Sequence, residues 1–235
     1  MLDTASIMAR LTSMAEPEYA VFSAHLIPNP PPVLGVRLPL LRRYAAELAK
    51  DPAGVDRVLE VLEALDPVPL EARMLRGMVL GCVKLPDEER WQHLESFLPL
   101  ADNWSLCDST AAGCKFMRKT PSFWLPKLEE LAGRDEEFPA RFGLVCLTDH
   151  FTADPEGRRR TLAACAAAPC PALYTRLGAA WAICEVAVRE PELGLAFLKE
   201  DSLDDFTHNK AIQKIRESRR ASPEYRAAVQ LLKRG

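Results

Sequence analysis

The sequence has few of the residues on which several enzyme classes depend. Its 235 residues include only 11 glycines and 4 histidines. It contains no Gly-rich phosphate-binding loop, no G-x-S-x-G nucleophile turn and no H-E-x-x-H zinc motif. None of its 7 cysteines stands in a C-x-x-C pair, and the histidines do not supply closely spaced ligands. These absences argue against P-loop nucleotide-binding proteins, serine hydrolases and zinc enzymes, and we expect no metal site.

Long apolar runs are also absent. No stretch approaches the roughly 18 residues of a membrane-spanning helix. Asp3, Arg10 and Glu16 interrupt the first 30 positions, where a secretory signal needs an apolar core. We therefore expect a cytoplasmic protein that does not bind a membrane. Most cysteines, such as Cys146 and Cys184, have apolar neighbours, which predicts reduced thiols in the core.

A surplus of positive charge is missing as well. The chain has 30 Lys and Arg against 33 Asp and Glu, a net charge of −3. Proteins that bind nucleic acid without sequence preference usually carry a basic excess. The charge is unevenly distributed, however, because residues 206–235 hold eight Lys and Arg but only two Asp and Glu. This distribution has two interpretations, a basic binding face near the C-terminus or an ordinary solvated helix surface.

Proline, in contrast, is abundant, with 19 residues distributed between segments of helical periodicity. Apolar residues recur every three or four positions and alternating strand patterns are scarce. Because proline is tolerated in the first turn of a helix but breaks its interior, intervals of roughly 13 to 30 residues outline about a dozen helices. We predict an all-α fold of stacked helical pairs, in a single domain over residues 1–235. Acidic residues favour helix starts at Asp51-Pro52, Pro86-Asp87 and Asp154-Pro155.

Residues 101–109 contain the first candidate site. Asp102 or Asn103 is a suitable helix N-cap, and Trp104 and Asp108 are then one turn apart on the same helix face. An aromatic ring beside a carboxylate can hold a cationic group, through cation–π attraction and charge neutralisation. The structural alternative is a core tryptophan with an aspartate bonded to a neighbouring helix.

A second pair with the same spacing is formed by Trp181 and Glu185. It lies in an otherwise apolar helix, where a carboxylate needs a partner or water. Gly178 and the two alanines that follow it leave room beside the indole. That room serves either close helix packing or a ligand.

Several cations are candidate phosphate contacts. Arg141 is expected in or near the first turn of a helix, where its guanidinium reaches a phosphate or neutralises Asp108. Lys210, Lys214 and Arg216 border an apolar stripe further along the chain. A row of cations on a helix can follow phosphates, although a solvated basic face is the alternative.

These blocks, taken in order, resemble a known family. The matching segments are Leu34–Arg43, which is similar to a "GVRxPxLR" motif, Asn103–Asp108, which is similar to a Trp-to-Asp catalytic turn, Arg141 with its apolar helix, Ala180–Glu185 and Asn209–Ser218. Over about residues 34–220 the chain resembles the AlkD-like DNA alkylation repair family, in particular its compact bacterial branch.

The resemblance implies an all-α superhelix of HEAT-like repeats whose concave, cationic face binds double-stranded DNA. It implies DNA glycosylase activity that hydrolyses the bond to cationic N3- and N7-alkylpurines without a metal or organic cofactor. Asp108 is then expected to stabilise the positively charged sugar, flanked by Trp104 and Trp181. Arg141 is expected to hold the DNA backbone, and Lys210 and Lys214 are further DNA contacts.

Two features depart from the family pattern. An N-terminal aromatic residue assists the reaction in characterised members, and Tyr19 is the candidate for it here. The chain as a whole is acidic, whereas a DNA-binding superhelix is expected to be basic. The acidic balance favours an alternative, a non-catalytic HEAT-like module that binds DNA or a protein partner on its concave face.

Overall fold

The computed structural model describes residues 2–65, 68–169 and 171–235, and within these ranges regular structure is helical apart from one isolated bridge between Ala15 and Val36. The described α-helices are α1 (Thr4–Ser13), α2 (Pro17–His25), α3 (Leu38–Leu48), α4 (Val55–Glu63), α5 (Leu70–Cys82), α6 (Asp87–Phe97), α7 (Trp104–Ala111), α8 (Pro121–Ala132), α9 (Glu137–Phe151), α10 (Pro155–Ala167), α11 (Leu173–Arg189), α12 (Pro191–Lys199), α13 (Asp205–Glu217) and α14 (Pro223–Gln230). Short 3₁₀ helices lie at Leu98–Leu100 and Lys115–Lys119. The prediction of an all-α fold is confirmed.

Proline marks many of the helix starts, as the sequence predicts. It occupies one of the first two positions of α2, α3, α8, α10, α12 and α14. A missing N–H is harmless there, because the first N–H groups of a helix have no intrahelical partner. The acidic starts at Asp87 and Asp154 are confirmed. The expected start at Asp51-Pro52 is wrong, because the Asp51 carboxylate accepts the N–H of Ala53 and closes a turn, so that α4 begins only after Gly54.

The chain divides after Lys115 into two compact units. In the first unit α3, α5 and α7 pack side by side, and α4 and α6 pack against α5. In the second unit α9, α11 and α13 form the corresponding row, with α8 and α10 packed on α9 and α12 on α11. This packing of consecutive helical pairs confirms the helical-repeat prediction. The single domain over residues 1–235 stays a prediction.

Each unit has its own apolar core. Leu75, Leu94 and Leu106 are fully buried in the first, and Trp124 and Phe142 in the second. The buried thiols are those of Cys107, Cys114, Cys146, Cys165 and Cys184, as expected, whereas Cys82, the last residue of α5, is exposed and Cys170 lies outside the described residues. No helix in the described ranges is both long and apolar enough to cross a membrane.

A buried carboxylate fixes the segment that precedes α3. Glu71, in the first turn of α5, is only 3% exposed. It accepts three backbone hydrogen bonds, from the N–H groups of Leu34, Gly35 and Val36, at 3.0, 2.7 and 3.2 Å. Gly35 has a φ of +83°, and a Cβ there would lie 2.2 Å from the carbonyl oxygen of Glu16. This position therefore needs glycine both for its backbone conformation and for its close approach to α2.

Substitution at Gly35 tests how much this approach contributes to stability. We expect Gly35→Ala to lower the free energy of unfolding by about 3 kcal/mol or more, because it combines a strained φ with a backbone collision. Gly54→Ala is the matched control, since Gly54 has a similar φ of +86° but a Cβ added there would meet no atom within 4 Å. It should cost about 2 kcal/mol, because its φ of +86° and ψ of 164° lie in a region that glycine alone adopts readily. Urea denaturation measures both, and equal losses would contradict the steric argument.

Candidate functional site

The pair Trp104 and Asp108 lies on α7 with the predicted spacing, and both side chains are half-buried. Asn103 is the N-cap, and its side chain accepts a first-turn backbone N–H at 3.1 Å. α7 packs closely on α5 at Gly77, where a Cβ would lie 1.8 Å from the hydroxyl oxygen of Thr110. The helix that presents the candidate carboxylate is therefore fixed by its cap and by its packing.

The indole of Trp104 lines a narrow cleft of about 100 Å³ in the first unit. Its Nε1–H donates to the carbonyl oxygen of Leu26 at 3.0 Å, which ties α7 to the end of α2. Tyr19, on α2, lines the same cleft, so the structure brings together Trp104 and the candidate N-terminal aromatic. Asp108 is not among the described residues that line this cleft and lies one turn further along α7.

Two side chains contact the ring of Tyr19. The guanidinium carbon of Arg37 lies 4.2 Å from the ring centroid, and the ring of Phe22 stacks at a centroid distance of 5.9 Å. Arg37 also makes an ion pair with Glu16, and the resulting hydrogen bonds hold the pKa of Glu16 below its ordinary value. Arg37 belongs to the Leu34–Arg43 block. Through Arg37, this block contacts the ring of Tyr19 and helps to orient it.

In the second unit Arg141 is the fifth residue of α9, which begins at Glu137, so it lies next to the first turn of the helix, as expected. It is 7% exposed, and its Nη1 donates to the carbonyl oxygen of Tyr174 at 2.8 Å. A Cβ at Gly178 would lie 3.4 Å from Cγ of Arg141. The Arg141 side chain therefore fills the space beside Gly178. This space serves the packing of α9 against α11 and is not open to a ligand.

The pair Trp181 and Glu185 lies on α11, with Trp181 half-buried one turn after Gly178. The Glu185 carboxylate is paired with Arg220 at 2.5 Å, and this hydrogen bond raises the pKa of Arg220. Arg220 is thus the partner that the sequence required for an acidic residue on this helix. The carboxylate of α11 therefore has a structural task, which is to join α11 to the residues that follow α13.

The two lysines of α13 have different surroundings. Lys210 lines a groove beside α14, and its Nζ donates to the side chain of Gln213 at 2.9 Å. Lys214 is half-buried near α11, where its charge opposes the burial that raises the pKa of Cys184 to about 11. The two candidate phosphate contacts therefore lie in different surroundings, Lys210 beside α14 and Lys214 near α11.

Many other arginines are neutralised by nearby acids. The run Arg158-Arg159-Arg160, for example, forms ion pairs with Glu190, Glu156 and Glu129 in that order. Because each of these arginines is paired with a glutamate, it contributes little to the positive charge that could attract a polyanion. In the ranges 2–65, 68–169 and 171–235 no group of three His, Cys, Asp or Glu side chains is arranged to hold a metal ion.

A comparison with models of protein families shows to which family the chain belongs. The sequence model described as DNA alkylation repair enzyme matches residues 7–221. The chain belongs to this family. The matched region includes α2 with Tyr19, and it includes all six candidate residues, which lie on α7, α9, α11 and α13. No individual curated protein gave a significant match to the chain.

Sequence reasoning missed the two residues that shape the first unit. In the sequence, Glu71 is an acidic residue near the start of an apolar segment, and Arg37 is one residue of the Leu34–Arg43 motif. Neither context indicates a structural role. Their partners, the 34–36 backbone and the Tyr19 ring, are 18 or more positions away in the chain. An acidic residue inside an apolar segment is a signal of a buried hydrogen-bonded role, but it does not name the partner.

Two substitutions of Trp104 separate the contributions of its hydrogen bond and of its aromatic ring to stability. We expect Trp104→Phe to lower the free energy of unfolding by about 1 kcal/mol, because it removes the donor to the Leu26 carbonyl but keeps an aromatic ring. Trp104→Ala should cost about 3 kcal/mol, since it also leaves a cavity. Thermal and urea unfolding measure both variants. If the phenylalanine variant lost as much as the alanine variant, the hydrogen bond and not the ring would hold the cleft.

Proposed function

We propose that this member of the DNA alkylation repair family is a DNA glycosylase that excises cationic N3- and N7-alkylated purines from double-stranded DNA. The observation that carries the proposal is the capped turn of α7, with Trp104 and Asp108 on one face, in a chain of this family. A half-buried carboxylate beside an aromatic ring suits a reaction in which positive charge develops on a sugar.

The proposed reaction follows from the charge of the substrate. An alkylated purine is already a cation, so its bond to C1′ of the deoxyribose breaks with the electron pair going to the base, which leaves neutral. The positive charge moves to the sugar, where the carboxylate of Asp108 lowers the barrier by electrostatic attraction. The oxygen of a water molecule then bonds to C1′, and the proton it loses passes through the carboxylate to solvent. The products are the free base and an abasic site.

The dimensions of the cleft support contact with an exposed nucleotide and not enclosure of the base. Its volume of about 100 Å³ is smaller than the roughly 300–1,000 Å³ of pockets that surround a small-molecule ligand. On this proposal Trp104 and Tyr19 offer aromatic faces to the sugar and its neighbours, and no deep base pocket is needed. Trp181 is proposed as a further aromatic contact.

Cations of the second unit are proposed to hold the DNA backbone. Lys210 and Lys214 are the proposed phosphate contacts of α13, and Arg141 adds positive charge on α9. Since Arg141 is mostly buried and bonded to Tyr174, it also positions α11, which carries Trp181. A phosphate contact supplies affinity and register without sequence preference.

Release of methylated bases tests the role of Asp108. Duplex DNA treated with a methylating agent is incubated with the protein, and 7-methylguanine and 3-methyladenine are measured by chromatography. We expect Asp108→Asn to lower the release rate by about 100-fold or more, because it removes the charge that stabilises the sugar cation. Asp102→Asn is the matched control, since this exposed carboxylate in the loop before α7 pairs with Arg73. It should retain most of the activity.

The possible results distinguish the two functions. Equal release by the unmodified protein and Asp108→Asn would overturn the assignment of Asp108. No release by the unmodified protein would overturn the glycosylase and leave the non-catalytic binding module, which the net charge of −3 favours. For that module a salt titration of DNA binding is the direct measurement, because a flat salt response excludes phosphate contacts.

A further inference from the structure

A pocket of about 530 Å³ lies in the first unit, between the end of α4, the first turns of α5 and the segment that leads into α7. Among the described residues of α7, only Leu106 lines it, and this residue lies about 200° around the helix axis from both Trp104 and Asp108. Sites that surround a small molecule usually have roughly 300–1,000 Å³. The pocket therefore has the size of a ligand site and lies on a different side of α7 from the candidate reaction site.

Apolar side chains from several elements form most of the pocket wall. Leu62 of α4, Ala72 of α5, Phe97 of α6 and Leu106 of α7 are buried in the core and present their edges to it. Leu100, which ends a 3₁₀ helix, lies at the pocket as well but is 44% exposed. Removal of such a wall from water favours a ligand with an apolar body.

Four charged side chains also line the pocket, and they form two ion pairs. Arg73 pairs with Asp102 at 3.0 Å, and Arg76 pairs with Glu63 at 3.2 Å. The two arginines are three residues apart on α5 and therefore share one face of the helix. Because the four charges sum to zero, the sign of a ligand depends on which partners are fixed and which are free to move.

The arginines are the fixed partners. Their side chains are 23% and 16% exposed, whereas those of Asp102 and Glu63 are 60% and 59% exposed. Nη2 of Arg73 is anchored to the carbonyl oxygen of Leu100 at 2.8 Å. Arg76 donates no hydrogen bond to any residue that the structure describes, so its donors are available at the pocket wall. The carboxylates are held only by ion pairs at the surface, which contribute little to stability.

We propose that this pocket binds a small amphipathic carboxylate, with its carboxylate group on Arg73 and Arg76 and its apolar body against the apolar wall. A guanidinium group matches the two oxygens of a carboxylate in geometry and charge. The ligand takes the place of the Asp102 and Glu63 carboxylates, which turn to water. Asp102 also keeps a partner, because the side-chain amide of Asn103 donates to it at 3.0 Å. The site is independent of the proposed base removal.

Other ligands fit this arrangement less well. A cationic ligand requires fixed carboxylates and movable arginines, whereas Glu63 and Asp102 are the exposed partners of the two pairs. A DNA backbone presents phosphates at regular intervals and prefers a polar, strongly cationic surface. The lining of this pocket is mostly apolar and has no net charge.

Calorimetric titration of the full chain with octanoate, 1-octanol and octylamine tests the assignment. The three probes have apolar chains of the same length and differ in the charge of the head group. We expect octanoate to bind about tenfold more tightly than octanol, because hydrogen bonds between ions are stronger than those of a neutral hydroxyl. Octylamine should bind more weakly than octanol, since its ammonium group would face two guanidinium groups.

Two substitutions should change the affinity for octanoate in opposite directions. Arg76→Gln should lower it about tenfold, because it removes one of the two charges that hold the carboxylate. Glu63→Gln should raise it about threefold, since it removes a competing carboxylate from the exposed ion pair. Both variants should bind octanol like the unmodified protein, which shows that the apolar wall is intact.

Arg57→Gln and Glu60→Gln are the matched controls. These residues of α4 form an exposed ion pair at 3.2 Å in the same unit, and neither of them lines the pocket. Both variants should bind octanoate like the unmodified protein. Thermal unfolding without ligand confirms that each variant is folded.

Three results would overturn the proposal. The first is that octanoate binds no more tightly than octanol, which would leave only an apolar cavity. The second is an equal loss of octanoate affinity in Arg76→Gln and Arg57→Gln, which would indicate general electrostatics. The third is tighter binding of octylamine than of octanoate, which would assign the pocket to cations. None of these measurements involves DNA, so their outcome does not depend on the glycosylase.

Discussion

The carboxylate of Glu71 organises the first unit through its three backbone hydrogen bonds. A buried carboxylate without partners costs several kcal/mol, so the 34–36 backbone cannot leave it without a large penalty. That backbone presses Gly35 against α2, and α2 carries Tyr19. The cleft that Tyr19 shares with Trp104 therefore depends on an acidic residue that does not itself belong to the candidate reaction.

Charge pairing gives the acidic chain its locally basic surface. Arginines such as those of the 158–160 run are neutralised by glutamates, and they add little to the field around the protein. The cations of α13 and α14 lie in a stretch of the chain with few acidic residues. Two acids at the edge of this stretch, Asp201 and Asp205, are paired with Arg234. The net charge of −3 is an average over the whole chain, whereas a bound ligand responds to the local field within about 10 Å at ordinary salt concentrations.

Local rules predicted most of the helices and the local geometry of the candidate turn. Proline spacing and the Asn103 cap act within one helical turn, so the sequence contains the whole argument for them. The same rules failed at Asp51-Pro52, where the aspartate closed its own turn, and at Cys82, whose apolar neighbours did not show that it ends α5 at the surface. The filling of the space beside Gly178 by Arg141 depends on two helices meeting, which local patterns do not encode.

The two tryptophan–acid pairs show why spacing alone cannot assign chemistry. Trp104–Asp108 and Trp181–Glu185 have the same i,i+4 arrangement on helices of the same kind. In the second pair, Arg220 from beyond α13 neutralises the carboxylate, which therefore serves to join α11 to the end of α13. A carboxylate that carries a structural ion pair has less electrostatic attraction left for a developing cation. The partner of Glu185 thus weakens α11 as the source of the catalytic acid and leaves Trp181 as the residue of this pair with a proposed contact to DNA.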